Sequence, residues 1–163
     1  MKIKKSKTLK IIIAVLAILV IAGIIFLVFS KLNFARKAEI SADLPKLIKV
    51  NQAITLPIII DTTGETINAA EIYLKFDSQA IKVESVSKDN SFFELWITDE
   101  PKFSNEKGEI SFAGGLPTPG FKGKGEIGQI IFIPKKSGWT EISFDSKTRA
   151  LLNDGKGTAI PLS

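Results

Sequence analysis

The chain opens on one unbroken apolar run and then changes texture. From Ile11 to Phe29, nineteen consecutive residues carry no charged or polar side chain. A helix of that length, at about 1.5 Å rise per residue, reaches the roughly 30 Å of a bilayer's hydrocarbon core. No polar face interrupts the run, which argues against a helix packed into a soluble core. Lys2, Lys4, Lys5, Lys7 and Lys10 precede it, and lysine-rich flanks stay on the cytoplasmic side. The predicted organisation is a basic cytoplasmic tail over 1–10, a transmembrane signal anchor over 11–29, a linker over 30–45 and an extracytoplasmic domain over 46–163. A cleaved signal peptide is the other reading. Its apolar core is shorter, about 7–15 residues, and ends at a small-x-small site, which residues 30–38 do not offer cleanly. Both readings export the rest of the chain.

Beyond 45, apolar runs of four to nine residues alternate with turn signals, and no stretch keeps a 3.6-residue period. Residues 47–50 and 53–60 read as two strands about a turn at Asn51 and Gln52. Pro57 cannot donate to a ladder, so the second strand is expected at an edge or bulged there. Next comes the cleanest alternation: Ile72, Leu74 and Phe76 on one side, Glu71, Tyr73 and Lys75 on the other. That is a strand with one wet face. Ile81, Val83 and Ser85 alternate with Lys82, Glu84 and Val86 in the following strand. Residues 92–96 form a short aromatic strand, and 109–113 a strand entered through a hairpin turn at 105–108. A glycine- and proline-rich loop spans Gly114 to Gly125. Residues 126–133 are apolar on both faces in their middle, which predicts a central strand. Residues 139–144, 150–153 and 158–162 supply the last ones. Eight or nine short strands with regular turns predict an all-β antiparallel two-sheet β-sandwich, a jelly roll preceded by one N-terminal transmembrane helix.

The formal net charge of +5 invites a nucleic-acid reading that its distribution removes. Residues 1–37 hold 8 of the 22 basic residues and none of the 17 acidic ones. The remainder carries 14 basic and 17 acidic residues, without a basic stripe, so no nucleic-acid partner is expected. The chain has no cysteine and no histidine. It therefore lacks a disulfide framework, the commonest general base and the commonest metal ligand.

Three stretches, in order, carry a resemblance. They are 67–77 with 80–86 (INAAEIYLKFD…AIKVESV), 108–115 (GEISFAGG) and 128–138 (GQIIFIPKKSG), followed by LNDGKGT at 152–158. Over about residues 46–161 the chain resembles a cohesin domain, the jelly-roll module with which bacteria dock partner proteins carrying dockerin modules. The same sandwich is shared with carbohydrate-binding modules. The resemblance implies docking through one sheet face that includes the strand matching 67–76. Well-known cohesins carry an Asn and an Asp two residues apart there. Ala69 and Glu71 stand at those positions here, and a later acidic position is Gly114. Glu71 and Tyr73 are the best carried-over contacts, with Ser111 and Gly114 on the adjoining segment. Leu116, Pro117, Pro119 and Phe121 would form an apolar lip on the neighbouring loop.

Other chemistry is weakly signalled. Asp154 and Gly155 make a hairpin turn rather than an EF-hand, whose alternating acidic ligands and terminal Glu are missing. Asp61, Glu65, Asp77, Asp99 and Glu100 are loop carboxylates with no metal-site spacing. The segment 115–122 lacks the Gly-Lys-Ser/Thr ending of a phosphate loop. Tyr73, Trp96 and Trp139 are the aromatics able to stack on sugars; Trp96 reads as core and Trp139 as packing at a sheet edge. No cofactor, metal site or enzyme activity is expected. The leading expectation is a membrane-anchored, cell-surface module that docks a protein partner, dockerin-like, through Glu71, Tyr73, Ser111, Gly114, Leu116 and Phe121. A polysaccharide-binding module and a ligand-free spacer are the alternatives.

Overall fold

The computed structural model describes residues 7–31, 37–42, 44, 48–97 and 101–163, with helical side chains described from 9 to 25. The chain divides into two compact units, Met1–Ala35 and Arg36–Ser163. The first holds one helix, α1 (Lys7–Lys31). Its large apolar side chains between Leu9 and Ile25 are 43–64 % exposed. Among the described residues no helix is long and apolar enough to cross a membrane. The described side chains stop at Ile25, however, and Phe29 with the end of the apolar run lies outside them.

The second unit is the β-sandwich. Its strands are β1 (Glu39–Ala42), β2 (Ile54–Asp61), β3 (Ile67–Phe76), β4 (Ile81–Ser87), β5 (Leu95–Trp96), β6 (Lys102–Ser104), β7 (Glu109–Gly115), β8 (Lys124–Pro134), β9 (Ile142–Phe144), β10 (Arg149–Leu152) and β11 (Ala159–Ile160). One sheet has the order β1-β2-β8-β4. The other runs β11-β10-β3-β7-β5, with β6 also on β7 and β9 also on β3. Every strand pairing is antiparallel.

The period-2 patterns explain the core. Leu56, Ile58 and Ile60 from β2 face Ile72 and Leu74 from β3, and β7 and β8 add Ile110, Phe112, Ile130 and Phe132, all at most 2 % exposed. Burying an Ile, Leu or Phe side chain is worth about 1.5–3 kcal/mol. Without disulfides, this packing is what opposes chain entropy. The central position expected for 126–133 is occupied by β8, between β2 and β4.

Five expectations change. Eleven strands form instead of eight or nine, β1 and β6 being pieces of four and three residues that show no alternation to read. The strand expected over 47–50 is not formed: Leu47 lies outside the described residues, Ile48 and Lys49 have no regular structure, and Val50 and Asn51 turn. Its place at the edge is taken by β1, inside the stretch expected to be linker. Only Ile40 of β1 is deeply buried, so a four-residue edge strand leaves almost no alternation to read. Pro57 is tolerated because β1 ends at the Ala42–Ile58 pair, leaving β2 with β8 as its partner there. In β4 the register to β8 shifts between Val83 and Ser85. One inserted residue flips the faces that follow, so Val86, not Ser85, packs on the core. Of the aromatic strand over 92–96, only Leu95 and Trp96 are strand.

Candidate docking face

The outward side of the seven-stranded sheet is built around the wet face of β3. Antiparallel register sets Glu71 between Arg149 on β10 and Ala113 on β7, Tyr73 beside Ser111, and Lys75 beside Glu109. Lys102 on β6 lies beyond Ser111. Three of the anticipated contacts are therefore brought together: Glu71, Tyr73 and Ser111 occupy neighbouring positions on one face.

The other three are not. A Cβ on Gly114 would meet the Phe93 ring at 2.4 Å, so this position faces the interior, where a side chain has no room. Leu116 packs against the core. Phe121 does so too, stacked on Phe92 with ring centroids 3.8 Å apart. Of the apolar lip expected of the loop, Leu116 and Phe121 turn to the core while Pro117 and Pro119 stay exposed.

Charges on the face are internally matched. Arg149 donates from Nε to Glu71 Oε2 at 3.0 Å and from Nη2 to Oε1 at 2.7 Å. That two-pronged geometry fixes both side chains and raises the Arg149 pKa. Lys75 Nζ lies 2.9 Å from Asp145 Oδ2. Asp145 also accepts the Lys147 N–H at 3.0 Å, and these contacts, that N–H first, hold its carboxyl below the usual range. The backbone of Tyr73 is clamped by Thr148: its N–H donates to Thr148 Oγ1 at 3.0 Å, and that hydroxyl donates to the Tyr73 carbonyl at 2.8 Å.

Between these elements lies an open pocket of about 350 Å³. It is lined by Tyr73 and Lys75 of β3, Glu109 and Ser111 of β7, Lys102 of β6, and by Lys107, Asp145 and Lys147. Sequence reasoning missed Arg149, Lys102 and Lys147, which reach the face from strands and turns far away in sequence. Only the antiparallel register joins them to β3.

The aromatic candidates do not gather. Trp96 packs edge-on to Phe93 and tilted against Phe112, with Lys88 Nζ 5.2 Å from its ring. Trp139 is 103 % exposed. It stands in the loop before β9 rather than packing at a sheet edge, since the strand begins only at Ile142. Two of the loop carboxylates serve their own turns, Asp61 accepting the Thr63 N–H and Asp77 the Gln79 N–H, both at 2.8 Å. Asp99 and Glu100 lie outside the described residues.

A two-sheet antiparallel sandwich with this strand order has known counterparts. The family model for the cohesin domain matches residues 38–160, nearly the whole second unit. The chain belongs to the cohesin family. Solved cohesins share the fold. One is the OlpA cohesin in a type I cohesin–dockerin complex from Clostridium thermocellum, with TM-score 0.62 and 18 % identity, covering 77 % of this chain and 94 % of that one. Another is a cohesin of Clostridium acetobutylicum, with TM-score 0.63 and 15 % identity over 79 % and 87 % of the two chains. A third is a non-cellulosomal cohesin of the archaeon Archaeoglobus fulgidus, with TM-score 0.60 and 15 % identity over 78 % and 85 %. No curated protein matches the chain. The cohesin match begins at Ala38, just ahead of β1. It therefore includes the edge strand that sequence pattern had left in the linker. Cohesin domains are non-catalytic binding modules.

Proposed function

We propose that this cohesin docks a protein partner, dockerin-type or related, on the outward face of β3, β7 and β10, and presents that face outside the cell membrane. The observation that carries the reading is the convergence of Glu71, Tyr73 and Ser111 on one mixed polar face in a chain of this family. Such faces suit protein recognition, where a few aromatic and Arg anchors within a polar rim supply most of the affinity. A sugar-binding face needs coplanar exposed aromatics, and Tyr73, Trp96 and Trp139 do not share a surface. The membrane part rests on the sequence alone, on the uncharged apolar run from Ile11 to Phe29 and the lysines before it.

The test uses the full chain in detergent micelles as bait for the secreted and membrane fractions of the source organism, beside a polysaccharide array. Docking predicts one stoichiometric protein partner, lost on Glu71→Lys or Tyr73→Ala. Glycan binding that survives those changes and disappears with Trp139→Ala would overturn it. For the anchor, alkaline carbonate extraction should leave the full chain in the membrane pellet; release into the supernatant would refute it.

A further inference from the structure

The charge balance of the face points to the chemistry of what it binds. Glu71 is neutralised by Arg149 through two hydrogen bonds, and Asp145 is held by Lys75 and the Lys147 N–H. A partner's cation would meet carboxylates that are already engaged. Beyond the Lys75–Asp145 pair, the pocket is lined by three lysines, Lys102, Lys107 and Lys147, against one carboxylate, Glu109. This excess of positive charge stands on a sandwich whose own composition is net acidic, with 14 basic and 17 acidic residues after 37. Lys102 is the cross-strand partner of Ser111, and Lys147 lines the same pocket as Tyr73. Leu95 and Ile97, 60 % and 65 % exposed, add apolar surface beside the same sheet, at β5 and just past it.

We infer that the pocket between β3, β6 and β7 receives the carboxylate side chain of an acidic protein segment, whose apolar neighbours lie toward Leu95 and Ile97. The inference rests on the docking reading above and names the partner's chemistry. Charge complementarity is the ground for it: a positive pocket favours an acidic partner and rejects a basic one, since like charges brought together at an interface repel in a medium that screens them poorly.

The test displays two peptide pools on phage, identical at apolar positions, one carrying Asp and Glu and the other Lys and Arg at the remaining positions. Each is panned on the full chain in detergent. Recovery from the acidic pool should exceed the basic pool by about tenfold or more, and the doubly changed Lys102→Glu, Lys147→Glu chain should reverse the preference. Lys102→Gln with Lys147→Gln should abolish it, and near-ultraviolet circular dichroism checks that both variants stay folded. Equal recovery or a basic preference, with binding still lost on Tyr73→Ala, overturns the inference and leaves docking standing. An acidic preference untouched by the lysine changes also overturns it. Failure of both pools removes the docking reading together with the inference. Retention on polygalacturonate beads that depends on the two lysines, with no peptide recovered, would give the pocket to an anionic polysaccharide instead.

Discussion

Two polar side chains do the work of missing strands. At Tyr73 the partner of β3 changes from β10, paired up to Glu71, to β9, paired from Leu74. Thr148, 8 % exposed, fills the gap by accepting from and donating to the Tyr73 backbone. At the bulge of β4, Asn105 does the same, accepting the Val83 N–H at 2.7 Å and donating to the Val83 carbonyl at 2.8 Å. A buried backbone group left without a partner costs about 1–3 kcal/mol. Thr148→Val should therefore lower the unfolding free energy by about 2 kcal/mol and weaken partner binding through the freed Tyr73, while Thr148→Ser restores both. Urea denaturation beside a binding titration reads the two effects; equal stability of the Val variant would show that the clamp is dispensable. Gly108 is constrained differently. Its φ is +68°, and a Cβ there would lie 2.2 Å from the Phe76 carbonyl oxygen, whose residue donates its N–H to the Gly108 carbonyl at 2.9 Å. Gly108→Ala should cost more than about 1 kcal/mol, measurable in the same denaturation curves.

Elements with long, regular alternation were legible in the sequence, and those set by a single register step were not. β3, with Ile72, Leu74 and Phe76 inward, and β8, apolar through its middle, are stretches where burial alone dictates the pattern. The second half of β4 was misread because one bulged residue inverts every face after it. Strand β1 was unreadable because its contribution is mostly backbone pairing, which leaves no side-chain signature. The same holds for the face: Glu71 and Tyr73 follow from alternation, whereas the Arg149 pairing needs knowledge of which strand lies beside β3. Although short, β1 covers the outer edge of β2, and Ala38 ties it to the last residues through Ala38 N–H to Pro161 O at 2.9 Å and Ser163 N–H to Ala38 O at 3.1 Å. A sandwich begun at 43 should thus unfold at lower urea than one begun at 36, and should aggregate more, because β2 becomes an open edge. Equal midpoints and equal solubility would mean that the edge strand adds nothing.

At the scale of the whole molecule, titration sets when the sandwich is most stable. With no histidine in the chain, no side chain with an ordinary pKa changes charge between about pH 5 and 8. Three aspartates are held below their usual value of 3.8: Asp77 chiefly by the Gln79 N–H, Asp145 chiefly by the Lys147 N–H with Lys75, and Asp154 chiefly by the Thr158 hydroxyl with the Lys156 N–H. Folded, each binds a proton less readily than in the unfolded chain, so each adds stability above the ordinary aspartate value and loses it as pH falls through the depressed one. Lys75 is shifted upward from 10.5, chiefly by its hydrogen bond to Asp145, so its contribution is present below that value and lost only in strong alkali. The expected profile of urea midpoint against pH is a plateau across neutrality with a decline on the acid side of about pH 4. All three aspartates are in turns or the link ahead of β10, so converting them together to asparagine should flatten the acid limb while leaving the sheets intact by far-ultraviolet circular dichroism. A stability maximum in the acid range, or a step near neutrality, would contradict this assignment. The neutral plateau also serves the docking test: between about pH 5 and 8 no side chain of this chain titrates with an ordinary pKa, so a pH dependence of partner binding there points first to groups on the partner.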